Sequence, residues 1–190
     1  MQSKEMKAVE VLKEGGIIIF PTDTAFGIGC RIDNSESVRR LFQIRERPLH
    51  QPPPVLVESI AKAKLYAEIS DEIKRNILER YWPGAVTVIL PVNEGVDPLL
   101  QKDNGIGLRV PNNDGLLSVI EKVGVGIVGC SANFHGKLTP YRIEDLDNKL
   151  IAKVDFVLEG VCTLKKESTV ISCLSDKYTI VRQGAVNIKV

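Results

Sequence analysis

Gly16-Ile17-Ile18-Ile19-Phe20-Pro21-Thr22-Asp23-Thr24-Ala25-Phe26-Gly27-Ile28-Gly29 is the stretch from which the fold is read. It opens on a short continuous apolar run, the pattern of a strand buried on both faces. Two threonines then flank an aspartate. A turn in which Asp23 bonds its own backbone explains the aspartate but not the hydroxyls beside it. Far along the chain a second apolar run, Gly126-Ile127-Val128-Gly129-Cys130, leads into Ser131-Ala132-Asn133. Both buried strands therefore end in loops rich in hydroxyls or amides, which is where α/β folds place ligands. Between them stands Arg45-Glu46-Arg47-Pro48, two close-set cations at the end of a helix. Such groups, arriving from three parts of the sequence, suit a pocket for a polyanion.

Working outward, Met6, Val9 and Leu12 mark a helix over 4–14 that Gly15-Gly16 stops. Asp33-x-x-Glu36 reads as a capping box for a helix with Val38, Leu41 and Phe42 on one face, ended by Pro48. Gln51-Pro52-Pro53-Pro54 has to be extended, because each proline fixes its own φ and disfavours α at its predecessor. A short strand over 55–57 and helices over 59–67 and 71–81 follow. The second helix has Ser70 as N-cap, acids in its first turn and Arg80 in its last. Trp82-Pro83-Gly84 turns the chain into a strand over 86–92. Periodicity then gives a strand over 106–110, a helix over 114–123, a strand over 126–130 and a loop over 131–140. A helix over 143–151 and a strand over 154–158 come next. The runs 170–173 and 178–182 form a hairpin around Ser175-Asp176-Lys177. Alternating β and α elements predict an α/β (α+β) layer fold with a mixed sheet. With no repeat, low-complexity tract or long linker, residues 1–190 read as a single domain.

Composition narrows the function. At 190 residues, 44% apolar and 26% charged, the chain is an ordinary globular one. A domain of this size buries roughly 70% of its unfolded surface, so it folds without disulfide or metal. Its four cysteines show no C-x-x-C and no zinc spacing, and Cys30 and Cys130 read as buried free thiols. The two histidines, His50 and His135, lack an H-E-x-x-H, which argues against a metal cage. Ser131 lacks the G-x-S-x-G elbow of a serine hydrolase. Gly124-Val125-Gly126-Ile127-Val128-Gly129 matches G-x-G-x-x-G as a string, but it follows a helix and forms a strand, the reverse of a dinucleotide site. No Walker loop occurs. The start of the chain has no apolar signal core and no run approaches a membrane span, so a cytoplasmic protein is expected. A net charge of +1 decides nothing about nucleic acid. Arg39, Arg40, Arg45 and Arg47 are either a solvated helix face or a basic patch. Arg109, inside an apolar strand, must pair with a core carboxylate, bind an anion or reach water.

Taken in order, P-T-D-T-A-F-G-I-G at 21–29, R-E-R-P at 45–48, W-P-G at 82–84, L-R-V-P at 108–111, S-A-N at 131–133, S-T-V at 168–170 and R-Q-G-A at 182–185 resemble the YrdC/Sua5 family of threonylcarbamoyl-AMP synthases. The resemblance spans residues 5–186. It implies a YrdC-like twisted mixed sheet with flanking helices around a basic concave cavity. It implies a nucleotidyltransferase that takes L-threonine, bicarbonate and ATP to threonylcarbamoyl-AMP and pyrophosphate, with Mg²⁺ bridging the phosphates. The product would pass to a separate transferase for N6-threonylcarbamoyl modification of a tRNA adenosine. Carried over, Arg45, Arg47, Leu49, Gly105, Asn133, Tyr141 and Arg182 would bind ATP. Thr22, Pro54, Arg109, Ser131 and Ser168 would bind threonine. The resemblance names no covalent catalytic residue and no protein metal ligand.

This chain differs from the family pattern inside the site. Arg45 stands where the family has lysine, which turns a point charge into a planar fork. Gln51-Pro52-Pro53-Pro54 replaces K-P-x-S, which removes a cation and an N–H donor. Phe134-His135-Gly136 follows S-A-N, and Tyr141 replaces a small hydroxyl residue. A divergent paralogue that binds double-stranded RNA, tRNA or a nucleotide without turnover is the alternative reading. A domain acting on carbamoyl phosphate is a third.

Overall fold

In the computed structural model, which describes residues 3–175 and 177–188, the chain after Gly16 forms β1 (Ile18–Pro21) and doubles back at once. The loop is only 22–25. Phe26-Gly27-Ile28-Gly29 is itself a strand, β2 (Phe26–Gly29), paired antiparallel with β1 from Ile18↔Gly29 to Pro21↔Phe26. The apolar run is buried on both sides. Ile17 and Ile19 join the larger core with Val38, Leu41 and Phe42 of the helix Ser35–Arg45. Ile18 and Phe20 face a second core under the helices Lys4–Lys13 and Asp114–Val123. Period-two alternation thus places one helical layer on each face of β1.

The remaining strands are β3 (Val55–Leu56), β4 (Val86–Pro91), β5 (Gly105–Arg109), β6 (Ile127–Val128), β7 (Cys130–Ser131), β8 (Phe156–Val157), β9 (Thr169–Ser172) and β10 (Thr179–Arg182). The expected mixed α/β architecture is present, with its strands divided between two mixed sheets of order β7-β2-β1-β8 and β10-β9-β4-β5-β3-β6. The single strand expected over 126–130 is what divides. Its first part pairs with β3 (Val55↔Val128) and its second with β2 (Ile28↔Cys130). The change of sheet falls at Gly129, whose N–H donates to the Pro54 carbonyl at 2.9 Å. A Cβ at Gly129 would strike the Leu56 side chain, and one at Gly29 would overlap the Val128 carbonyl oxygen. The two sheets meet this closely because both positions are glycine.

Several boundaries move, each for a local reason. The helix Ser35–Arg45 is capped by Asn34, whose side chain accepts from the Ser37 N–H, because Asp33 is held by Arg31 at 2.7 Å. It stops before Pro48, at Glu46 in the left-handed region (φ 53°). The helix expected over 59–67 shrinks to Ile60–Ala63. The one over 71–81 keeps its Ser70 cap but is a π-helix across Lys74–Leu78. The one over 143–151 becomes a 3₁₀ turn Ile143–Asp145 and a short helix Asn148–Ile151. Gly124 ends the helix Asp114–Val123 at φ 86°, so the glycine string caps a helix and opens none. β9 and β10 form the expected antiparallel hairpin; Asp176 of its turn lies outside the described residues. All four thiols are free and buried; burial pushes Cys173 up to about 11 and Cys30 higher still.

Thr169, fully buried, ties down the chain after β10. Its hydroxyl donates to Val186 O and accepts from the N–H groups of Gly184 and Val186 at 3.0 and 3.2 Å. Thr169→Val keeps the shape and takes the acceptor from the N–H groups of Gly184 and Val186, while Val186 O keeps its bond from Gln183 Nε2. We expect a loss of about 1–3 kcal/mol in urea unfolding, with earlier hydrogen exchange across 182–188. Among the described residues no helix is long and apolar enough to cross a membrane.

Candidate functional site

A cavity of about 500 Å³ opens where the two sheets diverge from Gly129. The smaller sheet and its β1–β2 loop give it Thr22, Thr24, Gly27 and Ser131; the larger sheet, with the residue before β9, gives Thr87, Gly105, Gly107, Arg109, Ser168 and Arg182. Pro52-Pro53-Pro54 and Arg47 close one side. Of the sequence-predicted residues, Thr22, Arg47, Pro54, Gly105, Arg109, Ser131, Ser168 and Arg182 therefore share one hollow. At Gly105 a Cβ would meet methyl groups of Leu174 at 2.8 Å and Ile89 at 2.9 Å, so a larger residue there would displace those side chains.

Arg109 enters from the end of β5 and is held on three sides. Its Nε donates to Gly84 O at 2.9 Å, its Nη1 to Thr24 Oγ1 at 2.8 Å and its Nη2 to Asp23 Oδ1 at 2.5 Å. The Arg109–Asp23 ion pair is buried, and the second carboxylate oxygen, Oδ2, has no hydrogen-bond partner among the described residues. Burial pushes the guanidinium's pKa down, and the charge of Asp23 opposes that. Arg109 has five N–H groups, so two remain for the cavity.

Arg45 and Arg47 part company at the left-handed turn between them. Arg47 lines the cavity and clips the proline segment, donating from Nε to Gln51 O at 2.6 Å and from Nη2 to Pro52 O at 3.3 Å. Burial pushes its pKa down as well. Arg45 lies behind the lining. Its Nε donates to Asn133 O at 2.9 Å and its Nη2 to Asn133 Oδ1 at 3.0 Å, with Ser131 Oγ at 3.4 Å. Its Nη1 is buried without a hydrogen-bond partner among the described residues. Asn133 in turn donates to Lys137 O at 2.6 Å. Arg45 and Asn133 thus form the backing that presents Ser131.

On the opposite wall Ser168 Oγ lies 2.9 Å from Thr87 Oγ1. Arg182 donates to Ser168 O at 2.9 Å and Ser168 Oγ at 3.2 Å, and pairs with Glu167 at 3.3 Å. Tyr141, half-buried, stands outside the lining but feels the charges of Glu167 and Arg182; burial is the main cause that raises its hydroxyl's pKa. Leu49 is 62% exposed and borders a separate shallow hollow beside Phe42 and Leu99.

Sequence reasoning missed Lys102 and Asp103, which line the cavity from the tight turn before β5. Lys102 and Gly105 exchange N–H···O bonds of 2.9 and 2.8 Å, and Asp103 and Asn104 take φ of 51° and 58°. An Asp-Asn pair suits that two-residue turn, and this was the available signal. Four cations (Arg47, Lys102, Arg109, Arg182) and two carboxylates (Asp103, Glu167) line the cavity. Among the described residues Arg109 and Arg182 carry ion pairs, whereas Arg47 and Lys102 carry none. The arrangement can bind a polyanion beside a group that offers both a carboxylate and a hydroxyl.

The family model Sua5_yciO_yrdC, described as "Telomere recombination", matches residues 10–184. A putative threonylcarbamoyl-AMP synthase of Methanocaldococcus jannaschii is 31% identical, over 99% of this chain and 91% of its own length. The threonylcarbamoyl-AMP synthase of Bacillus subtilis is 28% identical over 95% of this chain, which spans only 53% of that relative. Among solved structures, Pyrococcus abyssi Sua5 complexed with L-threonine superposes with a TM-score of 0.89 at 27% identity, covering 97% of this chain and 56% of that one. Escherichia coli YciO superposes with a TM-score of 0.88 at 28% identity, covering 97% and 91%.

Proposed function

The chain belongs to the Sua5/YciO/YrdC family, and from that membership we propose that it is an L-threonylcarbamoyladenylate synthase acting for tRNA modification. The observation that carries the reading is the cavity whose lining joins the hydroxyls of Thr22, Ser131 and Ser168 to the guanidinium groups of Arg47, Arg109 and Arg182. In this reaction bicarbonate yields carbon dioxide with loss of hydroxide, and the free amine of threonine adds to it, forming a carbamate and releasing a proton. A carbamate oxygen then attacks the α-phosphorus of ATP, and pyrophosphate leaves. Positioning and charge stabilisation carry such a displacement without a covalent enzyme intermediate.

In this reading Arg47 and Lys102, the two lining cations without carboxylate partners, hold the phosphates. Arg182 and Gly105 serve the nucleotide from β10 and β5. Arg109, Ser168, Ser131, Thr22 and Pro54 surround the amino acid. Arg45 and Asn133 act on the ligand by fixing Ser131. Leu49 and Tyr141 would reach the nucleotide only through movement of their segments. Mg²⁺ would arrive on the nucleotide, because no group of three His, Cys, Asp or Glu residues stands together among the described residues. Bicarbonate, a separate downstream transferase, a cytoplasmic setting and a single domain over 1–190 complete the proposal.

Purified protein given ATP, L-threonine and bicarbonate should release pyrophosphate only when threonine is present. Arg47→Ala should raise the KM for ATP on the order of tenfold and leave that for threonine within about twofold. A rate indifferent to threonine at saturation ends the proposal. One observation favours a second reading, a nucleotide-binding paralogue without synthase activity: the fork of Arg45 is engaged by Asn133 and does not line the cavity. Calorimetry would then register ATP alone, unchanged by threonine.

A further inference from the structure

Pro52, Pro53 and Pro54 have no N–H, so the cavity wall they form cannot be tied down by backbone donors of its own. Its far end is fixed in other ways: Pro53 is buried, and Pro54 O accepts from the Gly129 N–H at 2.9 Å. The strap before it, 48–52, is exposed or half-buried throughout. Gln51 N–H donates to Pro48 O at 3.1 Å, a bond inside the strap. The only side chain among the described residues that hydrogen-bonds the strap is Arg47, through Gln51 O at 2.6 Å and Pro52 O at 3.3 Å. Arg47 is itself anchored to the helix Ser35–Arg45, where its N–H donates to Phe42 O at 2.9 Å.

That guanidinium is not used up. Of its five N–H groups the strap takes Nε–H and one on Nη2, and three remain on a side chain that lines the cavity. It is also short of negative charge. Burial pushes its pKa down and the charge of Arg45 pushes the same way. Among the described residues neither arginine carries an ion pair. A phosphate oxygen is a stronger acceptor than a peptide carbonyl, and it can take the free Nη hydrogens while Nε keeps Gln51 O. Among the described residues Arg47 alone lines both the cavity and the shallow hollow beside Leu49, so it stands between ligand and strap.

We propose that Arg47 is a latch: a phosphate chain bound to its free N–H groups fixes the guanidinium, and the guanidinium fixes the strap 48–52. Arg47 is then both a ligand contact and the positioning residue for the proline wall, which becomes rigid only beside an occupied phosphate subsite. This rests on the synthase reading only in taking a polyphosphate as ligand. It adds an order of events, in which the nucleotide completes the wall that the amino acid then meets at Pro54.

The test is hydrogen exchange and backbone relaxation of the whole protein with inorganic triphosphate, against sodium chloride of equal ionic strength. Exchange at the Gln51 amide should slow on the order of tenfold at saturation, and the order parameters of Leu49 and His50 should rise. The helix Lys4–Lys13 should change by less than about twofold. Arg47→Lys keeps the charge but has no planar fork to hold carbonyl and phosphate together. It should still bind triphosphate within about tenfold of wild type by calorimetry, yet show no slowing at Gln51. Slowing retained in that variant would assign the ordering to charge alone and overturn the latch. If Arg47→Lys does not fold, the wild-type comparison decides. Unchanged or faster exchange at Gln51 in triphosphate-saturated wild type overturns the latch and leaves the synthase reading to its own test. Wild type that binds no triphosphate overturns the latch and the phosphate role of Arg47 together.

Discussion

Replacing Arg109 by alanine should destabilise the protein by about 3–5 kcal/mol, enough to unfold much of it near its normal working temperature. The cause is the carboxylate left behind. Asp23 is buried, and among the described residues its Oδ2 lacks a partner and Arg109 is its only counter-charge in direct contact. Removing the guanidinium also takes a donor from Gly84 O and from Thr24 Oγ1. Urea unfolding of Arg109→Ala, Asp23→Asn and the double variant Asp23→Asn with Arg109→Met would measure this. The double variant should regain most of the loss, because a neutral pair of similar volume carries no stranded charge. If Arg109→Ala unfolds at the wild-type midpoint, the pair has no structural role, and any loss of turnover would be a binding effect alone.

Gly29→Ala should be comparably severe, at about 3 kcal/mol or more. The added methyl would overlap the Val128 carbonyl oxygen, and backbone cannot rotate aside as a side chain can. Relief means pulling Val128 away, which breaks its N–H bond to Cys30 O at 2.8 Å and the β3–β6 pairing. Gly115→Ala is the control. Its Cβ would meet nothing nearer than Asn113 Oδ1 at 3.6 Å, inside the helix Asp114–Val123. That change should be neutral or stabilising by up to about 1 kcal/mol. Thermal melts of both variants would separate a steric clash from a general intolerance of glycine replacement.

Where a structural feature depends on neighbours in sequence, it was legible. The helix Asp114–Val123 appears with the bounds expected, because Asn113 caps it, Gly124 ends it and the apolar stripe lies between. The double burial of β1 follows from its unbroken apolar run. The helix over 143–151 was lost to local competition: the Asp145 carboxylate accepts from the N–H groups of Tyr141 and Arg142, and Asp147, accepting from the Lys149 N–H, caps a new helix that starts at Asn148. Division of the 126–130 run could not be read locally. What divides it is Pro54 and Gly29, which come from other parts of the chain. The site follows the same rule. Arg47, Arg109, Ser131 and Ser168 were visible as motif residues, but their partners were not. Asp23 meets Arg109 across 86 positions and Asn133 meets Arg45 across 88, pairings that no short spacing encodes. Lys102 carried no motif and became visible only as a lining side chain.

The change of sheet at Gly129 also bears on how the protein responds to occupancy. The cavity's two walls belong to different sheets, which meet at Gly129 and along the bonds from the Val128 N–H to Cys30 O and from the Ile32 N–H to Gly126 O. A molecule that touches Ser131 on one sheet and Arg182 on the other acts as a cross-brace. Its binding energy resists separation of the sheets, so loading should raise the melting temperature with the logarithm of ligand concentration. The same brace should slow amide exchange in β6 and β7 more than in the distant helix Lys4–Lys13.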